Sequence, residues 1–100
     1  MMETMDDISA PFPLGQMLAT ISVLEVCKFG AIDLGPYIER HLAGDWGDVS
    51  TDIRSSNDRA MKEGKGVLKS VFHPGGRRIW LVTDSARSQT VAMLPHELEP

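Results

Sequence analysis

Four residues of this sequence have side chains suited to chemistry at a phosphate: His41, Arg87, Ser88 and Thr90. A histidine titrates near neutral pH and can take the proton of a ribose hydroxyl. An arginine can hold a phosphate with two parallel N–H donors, and neighbouring hydroxyls can donate beside it. Each residue also has a structural interpretation. His41 would sit at the dipole of a helix C-terminus, and Arg87 would form a salt bridge within a turn.

Two carboxylates, Asp45 and Asp48, flank Trp46 in the segment Gly44-Asp45-Trp46-Gly47-Asp48. They could bind a cation, or one of them could orient His41. Alternatively they form a turn and help to cap the next helix, while Trp46 anchors the loop on the core. The three histidines lack the spacing of metal ligands, so we expect no metal site and no cofactor.

Asn57 and Arg78 are the remaining polar candidates. Asn57 lies on the apolar stripe of a predicted helix, and burying an unpaired amide costs ~1–3 kcal/mol, so it needs hydrogen-bond partners. It either ties that helix to the Asp45–Asp48 turn or serves a function in a cleft. Arg78 follows Gly75-Gly76, where a basic hairpin tip is either solvated or in contact with a phosphate.

The elements that position these residues follow from periodicity and from capping and turn residues. We predict an α+β fold in the order β-α-α-α-β-β-β, with helices on one face of a small antiparallel sheet that ends in a three-stranded meander. Thr20 and either Ser50 or Thr51 are predicted helix caps. The apolar run 79–82 indicates a central strand covered on both faces. The predicted strands are 14–19, 66–73, 78–83 and 88–94, and the predicted helices are 21–29, 34–43 and 52–63.

The length of 100 residues predicts one domain. We expect a flexible tail over residues 1–12 and a single α+β domain over residues 13–100. The only cysteine, Cys27, lies among apolar residues, which indicates a buried, inert thiol and no internal disulfide. No apolar run reaches the ~20 residues of a membrane span, and the acidic N-terminus is unlike a secretory signal, so we expect a cytoplasmic protein.

Charge is unevenly spread along the chain. Residues 1–50 carry two basic and eight acidic side chains, whereas residues 51–100 carry eight basic and six acidic ones. The acidic half could face a basic protein and the basic half could face phosphates, or the whole could be an ordinary mixed surface. The predicted binding residues combine the acids of the first half with two polar residues of the second: Glu25, Asp33, Glu39, Asp45, Asp48, Asn57 and Arg78.

The sequence resembles a family of small uncharacterised proteins found on bacterial plasmids, integrative elements and phages. The resemblance covers residues 12–98, and this chain departs from it at Ile53, where relatives tend to have an acid, and in lacking a proline at the start of the helix near Thr20. The matching blocks are Leu14-Gly15-Gln16, Arg40-His41, Gly44-Asp45-Trp46-Gly47-Asp48, Asn57, Ile79-Trp80-Leu81-Val82-Thr83, Arg87-Ser88 with Thr90, and Leu94-Pro95 with Glu97.

A second resemblance concerns topology alone. A strand, helices and a three-stranded meander are similar to the barnase/EndoU/RelE-type ribonucleases. That similarity implies a metal-independent ribonuclease in which His41, Arg78 or Arg87, and Ser88 or Thr90 surround the scissile phosphate. Fold does not dictate function, so this implication requires the side chains to converge.

The sequence leaves two functional hypotheses, with a small regulatory or structural accessory protein unrelated to defence as a third possibility. The preferred one is a mobile-element accessory protein that binds and inhibits a host defence nuclease complex, of the anti-CRISPR or anti-restriction type, in the cytoplasm of a bacterial host. An acidic inhibitor of that kind competes with DNA for a basic cleft. The alternative is the ribonuclease, for which nucleic acid is the partner. We expect no membrane partner, and a homodimer through an edge strand at 14–19 or 88–94 stays open.

Overall fold

The structure is a computed structural model that describes residues 12–98. It confirms the α+β prediction. A turn of 3-10 helix, Pro74–Gly76, joins the strand Leu68–Phe72 to the strand Ile79–Thr83, and the short helix Pro95–Leu98 was not predicted. No helix within residues 12–98 is long and apolar enough to span a bilayer. The elements are β1 (Gln16–Ala19), α1 (Ile21–Gly30), α2 (Gly35–Leu42), α3 (Thr51–Glu63), β2 (Leu68–Phe72), β3 (Ile79–Thr83), β4 (Gln89–Met93) and α4 (Pro95–Leu98).

The helices begin and end close to the residues that the sequence indicates. The side chain of Thr20 accepts the N–H of Val23 at 3.2 Å, and that of Ser50 accepts the N–H of Ile53 at 3.2 Å. Each cap satisfies a backbone donor that the first helical turn leaves free. Gly64 ends α3 in the left-handed conformation, with φ 75°.

The sheet has the strand order β1-β4-β3-β2. Strands β2, β3 and β4 form the predicted antiparallel meander. Strand β1, however, pairs in parallel with β4, so the prediction of a purely antiparallel sheet was wrong. The three helices return the chain to the end of the sheet where β1 begins. Consequently β2 and β4 run in the same direction as β1.

One face of the sheet, the inner face, packs against the helices. It carries two apolar clusters, one beneath α1 and α2 and one beneath α3. Phe12, the last residue of the predicted tail, is buried in the second cluster. The rest of the predicted tail lies outside the described residues. Cys27 is half-buried against the first cluster, and burial raises the pKa of its thiol.

Within residues 12–98, no helical layer lies over the opposite face of the sheet, the outer face. The Cα envelope measures 36 × 35 × 20 Å, and its smallest dimension fits one sheet and one layer of helices. Side chains along β3 alternate between buried and half-buried. The expectation that this strand is covered on both faces was therefore wrong. The half-buried apolar residues of the outer face are Leu18, Trp80, Val82, Val91 and Met93.

The free edge of β2 is covered by the loop that precedes α3. The N–H of Val71 donates to the carbonyl of Trp46 at 3.0 Å, and the N–H of Asp48 donates to the carbonyl of Val71 at 2.9 Å. Between them, Gly47 approaches so closely that a Cβ would lie 2.1 Å from the Val71 oxygen, and its φ is +72°. Only glycine fits this position.

Candidate functional site

His41 lies in the interior of the domain. It occupies the last turn of α2 and its side chain is 0% exposed. Its ring makes T-shaped contacts with Phe12, with ring centroids 5.4 Å apart, and with Trp46, with centroids 5.6 Å apart. Two aromatic rings therefore pack against this buried imidazole.

A chain of buried hydroxyls satisfies both ring nitrogens of His41. The Thr90 hydroxyl donates to the carbonyl of Leu14 at 2.8 Å, which uses its only proton. The Thr83 hydroxyl must then donate to Thr90 Oγ1, 2.7 Å away, and accept from His41 Nε2 at 2.9 Å. His41 Nδ1 is left to accept from the Ser70 hydroxyl. His41 is therefore the neutral tautomer with its proton on Nε2.

Burial also determines the charge of this histidine. Desolvation lowers the pKa of His41 from 6.5 to about 4, so the ring is neutral at physiological pH. A general base has to come within hydrogen-bond distance of the hydroxyl that it deprotonates. The enclosed ring of His41 does not favour that role, and Thr90 is buried in the same hydroxyl chain.

Arg87 binds backbone carbonyls in place of the predicted carboxylate partner. Its Nη2 donates to Ala60 at 3.0 Å, and its Nη1 donates to Asp84 at 3.0 Å as well as to Gly66 and Ser85. The guanidinium thus ties the last turn of α3 and the residues after it to the turn between β3 and β4. Both of its terminal nitrogens donate to these carbonyls, which does not favour a phosphate-binding role.

We expect the substitution Arg87→Lys to lower the free energy of unfolding by about 2 kcal/mol, because an ammonium cannot reach carbonyls on three segments with fixed forked donors. Urea unfolding followed by circular dichroism measures the change. The matched control is Arg78→Lys, an exposed arginine for which the same substitution should change stability little. Equal losses in both variants would contradict the carbonyl-binding role.

Ser88 belongs to the same turn. Its N–H donates to Asp84 Oδ1 at 2.7 Å, and its hydroxyl donates to Asp84 Oδ2. The hydrogen bond from the Ser88 hydroxyl is the main cause that lowers the pKa of Asp84. Of the four predicted catalytic residues, the structure joins His41 to Thr90 through Thr83, while Arg87 and Ser88 organise a turn.

Three of the five predicted binding acids have partners within the chain. Asp45 accepts from Arg40 Nε at 2.8 Å, and this bond lowers the pKa of Asp45. Asp48 lies 3.0 Å from Nδ1 of His73, and Asp33 accepts the first N–H of α2. Asp45 was a candidate to orient His41, but its carboxylate pairs with Arg40. Glu25 and Glu39 are exposed on α1 and α2.

Asn57 is buried and replaces a neighbouring strand along part of β2. Its Nδ2 donates to the carbonyl of Lys69 at 2.7 Å, and its Oδ1 accepts the N–H of Lys69 at 3.0 Å. The predicted tie to the Asp45–Asp48 turn is replaced by this tie to the strand. Arg78 donates to His73 at 3.3 Å. Within residues 12–98, no cluster of His, Cys, Asp and Glu could hold a metal ion.

The exposed face of α1 is the surface feature that the sequence interpretation missed. Phe29 is 83% exposed, Ile21 is 75% exposed and Leu24 is 57% exposed. The helix is apolar on nearly every side, a signal that could have revealed this face. Phe29 borders a groove of about 580 Å³ between α1 and the Pro74–Gly76 turn, which we call the α1 groove. Its lining residues are Ser22, Glu25, Val26, Phe29, Gly30, Ile32, Gly75, Arg77 and Leu94.

Comparison of the chain with protein-family models, with curated proteins and with solved structures found no match.

Proposed function

We propose that this chain acts by binding another protein through α1 and the α1 groove. The observation that carries the proposal is the exposure of Phe29, 83%, beside a groove lined by both apolar and polar residues. Large apolar side chains grouped on one surface mark protein interaction sites, and aromatic residues next to a pocket are typical binding anchors. Ile21 and Leu24 extend the apolar surface along the same helix.

The partner that fits this surface has a basic rim around an apolar contact. Glu25 and Arg77 both line the α1 groove, and the acidic Asp33 follows Ile32, another lining residue, on the exposed surface. The whole chain carries a formal net charge of −4. The net negative charge of the chain speeds association with a basic cleft that normally receives DNA. We therefore propose a nuclease complex of a bacterial defence system as the partner.

A defence challenge tests this function. Cells with an active CRISPR or restriction system are infected with a targeted phage while they express the chain, and the purified nuclease complexes are titrated with the purified chain. We expect the wild type to restore plaque formation and to bind one complex. Phe29→Ser should weaken that binding by about 30-fold or more, because loss of a central aromatic anchor costs about 2 kcal/mol or more.

The matched control is Val67→Ser, which removes another exposed apolar side chain, 41% exposed, in the loop before β2. This variant should bind and protect as the wild type does. Equal weakening by both substitutions would exclude the α1 groove as the binding surface. Failure of the wild type to protect against any system, together with metal-free RNA cleavage that is lost in His41→Ala, would favour the ribonuclease instead.

A further inference from the structure

The two edge strands of the sheet, β1 and β2, differ in how far other segments cover them. The edge of β2 is covered by the Trp46–Asp48 loop and by Asn57, whereas β1 forms the other edge. Of the two strands that could have paired across a dimer, β4 lies inside the sheet between β1 and β3. Only β1 is thus positioned to accept another strand.

The backbone of β1 presents unpaired groups at this edge. The N–H groups of Gln16 and Thr20 donate to β4, at 2.9 Å to Ser88 and at 3.1 Å to Ala92. Successive residues of a strand direct their backbone groups to opposite sides, so Met17 and Ala19 direct theirs away from β4. No hydrogen bond within residues 12–98 reaches the outward groups of Met17 or Ala19.

The sequence of β1 lacks the features that prevent an edge strand from pairing with another strand. Proteins usually protect an edge strand with a lysine, a proline or a bulge. The sequence Gln16-Met17-Leu18-Ala19 contains no charge and no proline, and its register with β4 is continuous. The side chains of Met17, Leu18 and Ala19 are half-buried. The edge therefore has the composition of an interior strand.

We propose that a second copy of this chain pairs with β1 in the antiparallel direction, about a two-fold axis at Leu18. The two four-stranded sheets would then form one continuous sheet. In this register Met17 lies opposite Ala19 of the second copy, and Ala19 lies opposite its Met17. All outward backbone groups of both strands are satisfied by two pairs of mutual hydrogen bonds. The interface is isologous, as in most soluble homodimers.

The strand is complementary to itself in this register and in no other. A two-fold axis at Met17 would place Ala19 opposite Gly15, whose φ of +68° is not that of a strand. An axis at Ala19 would place Met17 opposite Ile21, which is helical. With the axis at Leu18, a large side chain faces a small one on the inner face. No ionisable side chain faces its own copy, so the net charge of −4 does not oppose contact along the strand.

Apolar surface next to β1 adds to the backbone pairing. Leu18 would meet its copy on the outer face, where it is in register with Val91. The two half-buried apolar outer faces would become continuous across the axis. Ile21, 75% exposed, follows directly after the strand and its cap. Burial of this surface strengthens an association that a four-residue strand would only weakly support on its own.

Cysteine cross-linking tests the register. Leu18→Cys, in a chain that also carries Cys27→Ala, places the two thiols in a non-hydrogen-bonded pair with Cα atoms ~4.5 Å apart, within the range of a disulfide. Gln16→Cys is the control, because its copies would lie ~13 Å apart along the strands. We expect mild oxidation to convert Leu18→Cys to a covalent dimer of twice 11.0 kDa and to leave Gln16→Cys monomeric.

Sedimentation of the full chain tests the association itself. We expect the wild type to sediment as a dimer at high concentration. Leu18→Lys places like charges at the axis and should raise the dissociation constant at least tenfold, while circular dichroism and the melting temperature report that the fold is kept. A monomeric wild type, or equal cross-linking of both cysteine variants, would overturn the proposal. If the wild type is monomeric and the backbone amides of β1 become protected from hydrogen exchange only when a different protein is added, a strand of that protein pairs with this edge instead.

Discussion

Replacement of Trp46 by alanine is expected to lower the free energy of unfolding by about 4 kcal/mol. Its buried side chain stacks on Phe12, with ring centroids 6.2 Å apart, and packs with Ala60 and Leu68 in the second apolar cluster. Its indole N–H donates to Asp58 at 3.0 Å. Truncation would leave a cavity beside His41 and would also loosen the loop that covers the edge of β2.

Urea unfolding at neutral pH, followed by circular dichroism, measures this loss, since a domain of this size usually unfolds in a two-state manner. Trp80→Ala is the matched control. Trp80 is half-buried on the outer face, where water can occupy the space, so its truncation should cost clearly less. A loss at Trp80 equal to that at Trp46 would contradict the assignment of the core to the inner face.

The elements of the fold could be predicted because their signals are local. Thr20, Ser50 and Gly64 act as helix ends through backbone groups a few residues away. The meander follows from turn residues between apolar runs. The direction of β1 relative to β4 could not be predicted in this way, since it depends on how the three helices between β1 and β2 pack and on the end of the sheet at which β2 then begins.

The candidate site was harder to predict because the same residue types serve chemistry and structure. A histidine, an arginine and hydroxyls suggest a phosphate site when only their types and spacing are known. Their roles depend on nonlocal partners: Ser70 and Thr83 for His41, and Ala60 and Gly66 for Arg87. Sequence spacing cannot give these contacts, because they join segments that are distant along the chain.

The exposure of the outer face of the sheet was also hard to predict. Ile79, Trp80, Leu81 and Val82 are consecutive apolar residues, a pattern typical of a strand covered on both faces. In this chain only alternate residues of β3 meet the helices. An apolar outer face without a helical layer and an uncharged edge strand at β1 are compatible with cover by another polypeptide. Phe29 lies on the exposed side of α1 and Leu18 lies on the edge strand β1, so substitutions at these two positions test the two surfaces independently.

The stability of the domain should decrease as the pH falls from about 6.5 to about 4, and His41 is the expected cause. Its pKa in the folded chain is lowered to about 4 by burial, whereas in the unfolded chain it is near 6.5. Between these values the unfolded state binds a proton that the folded state does not, so acidification favours unfolding. The difference corresponds to a loss of about 3 kcal/mol once the pH reaches the folded-state value.

Urea unfolding at several pH values between 7.5 and 4, with wild type and His41→Gln, measures this effect. The variant should be less stable at pH 7.5, because glutamine cannot serve both Ser70 and Thr83 with the same geometry, and its stability should change less over the range. Asp45, Asp84 and Glu97, whose pKa values are lowered by hydrogen bonds, lose their contributions at lower pH in both proteins alike. His96→Gln, an exposed control, should keep the wild-type dependence. An unchanged dependence in His41→Gln would mean that the imidazole reaches water and can exchange protons in the folded protein, as a general base must.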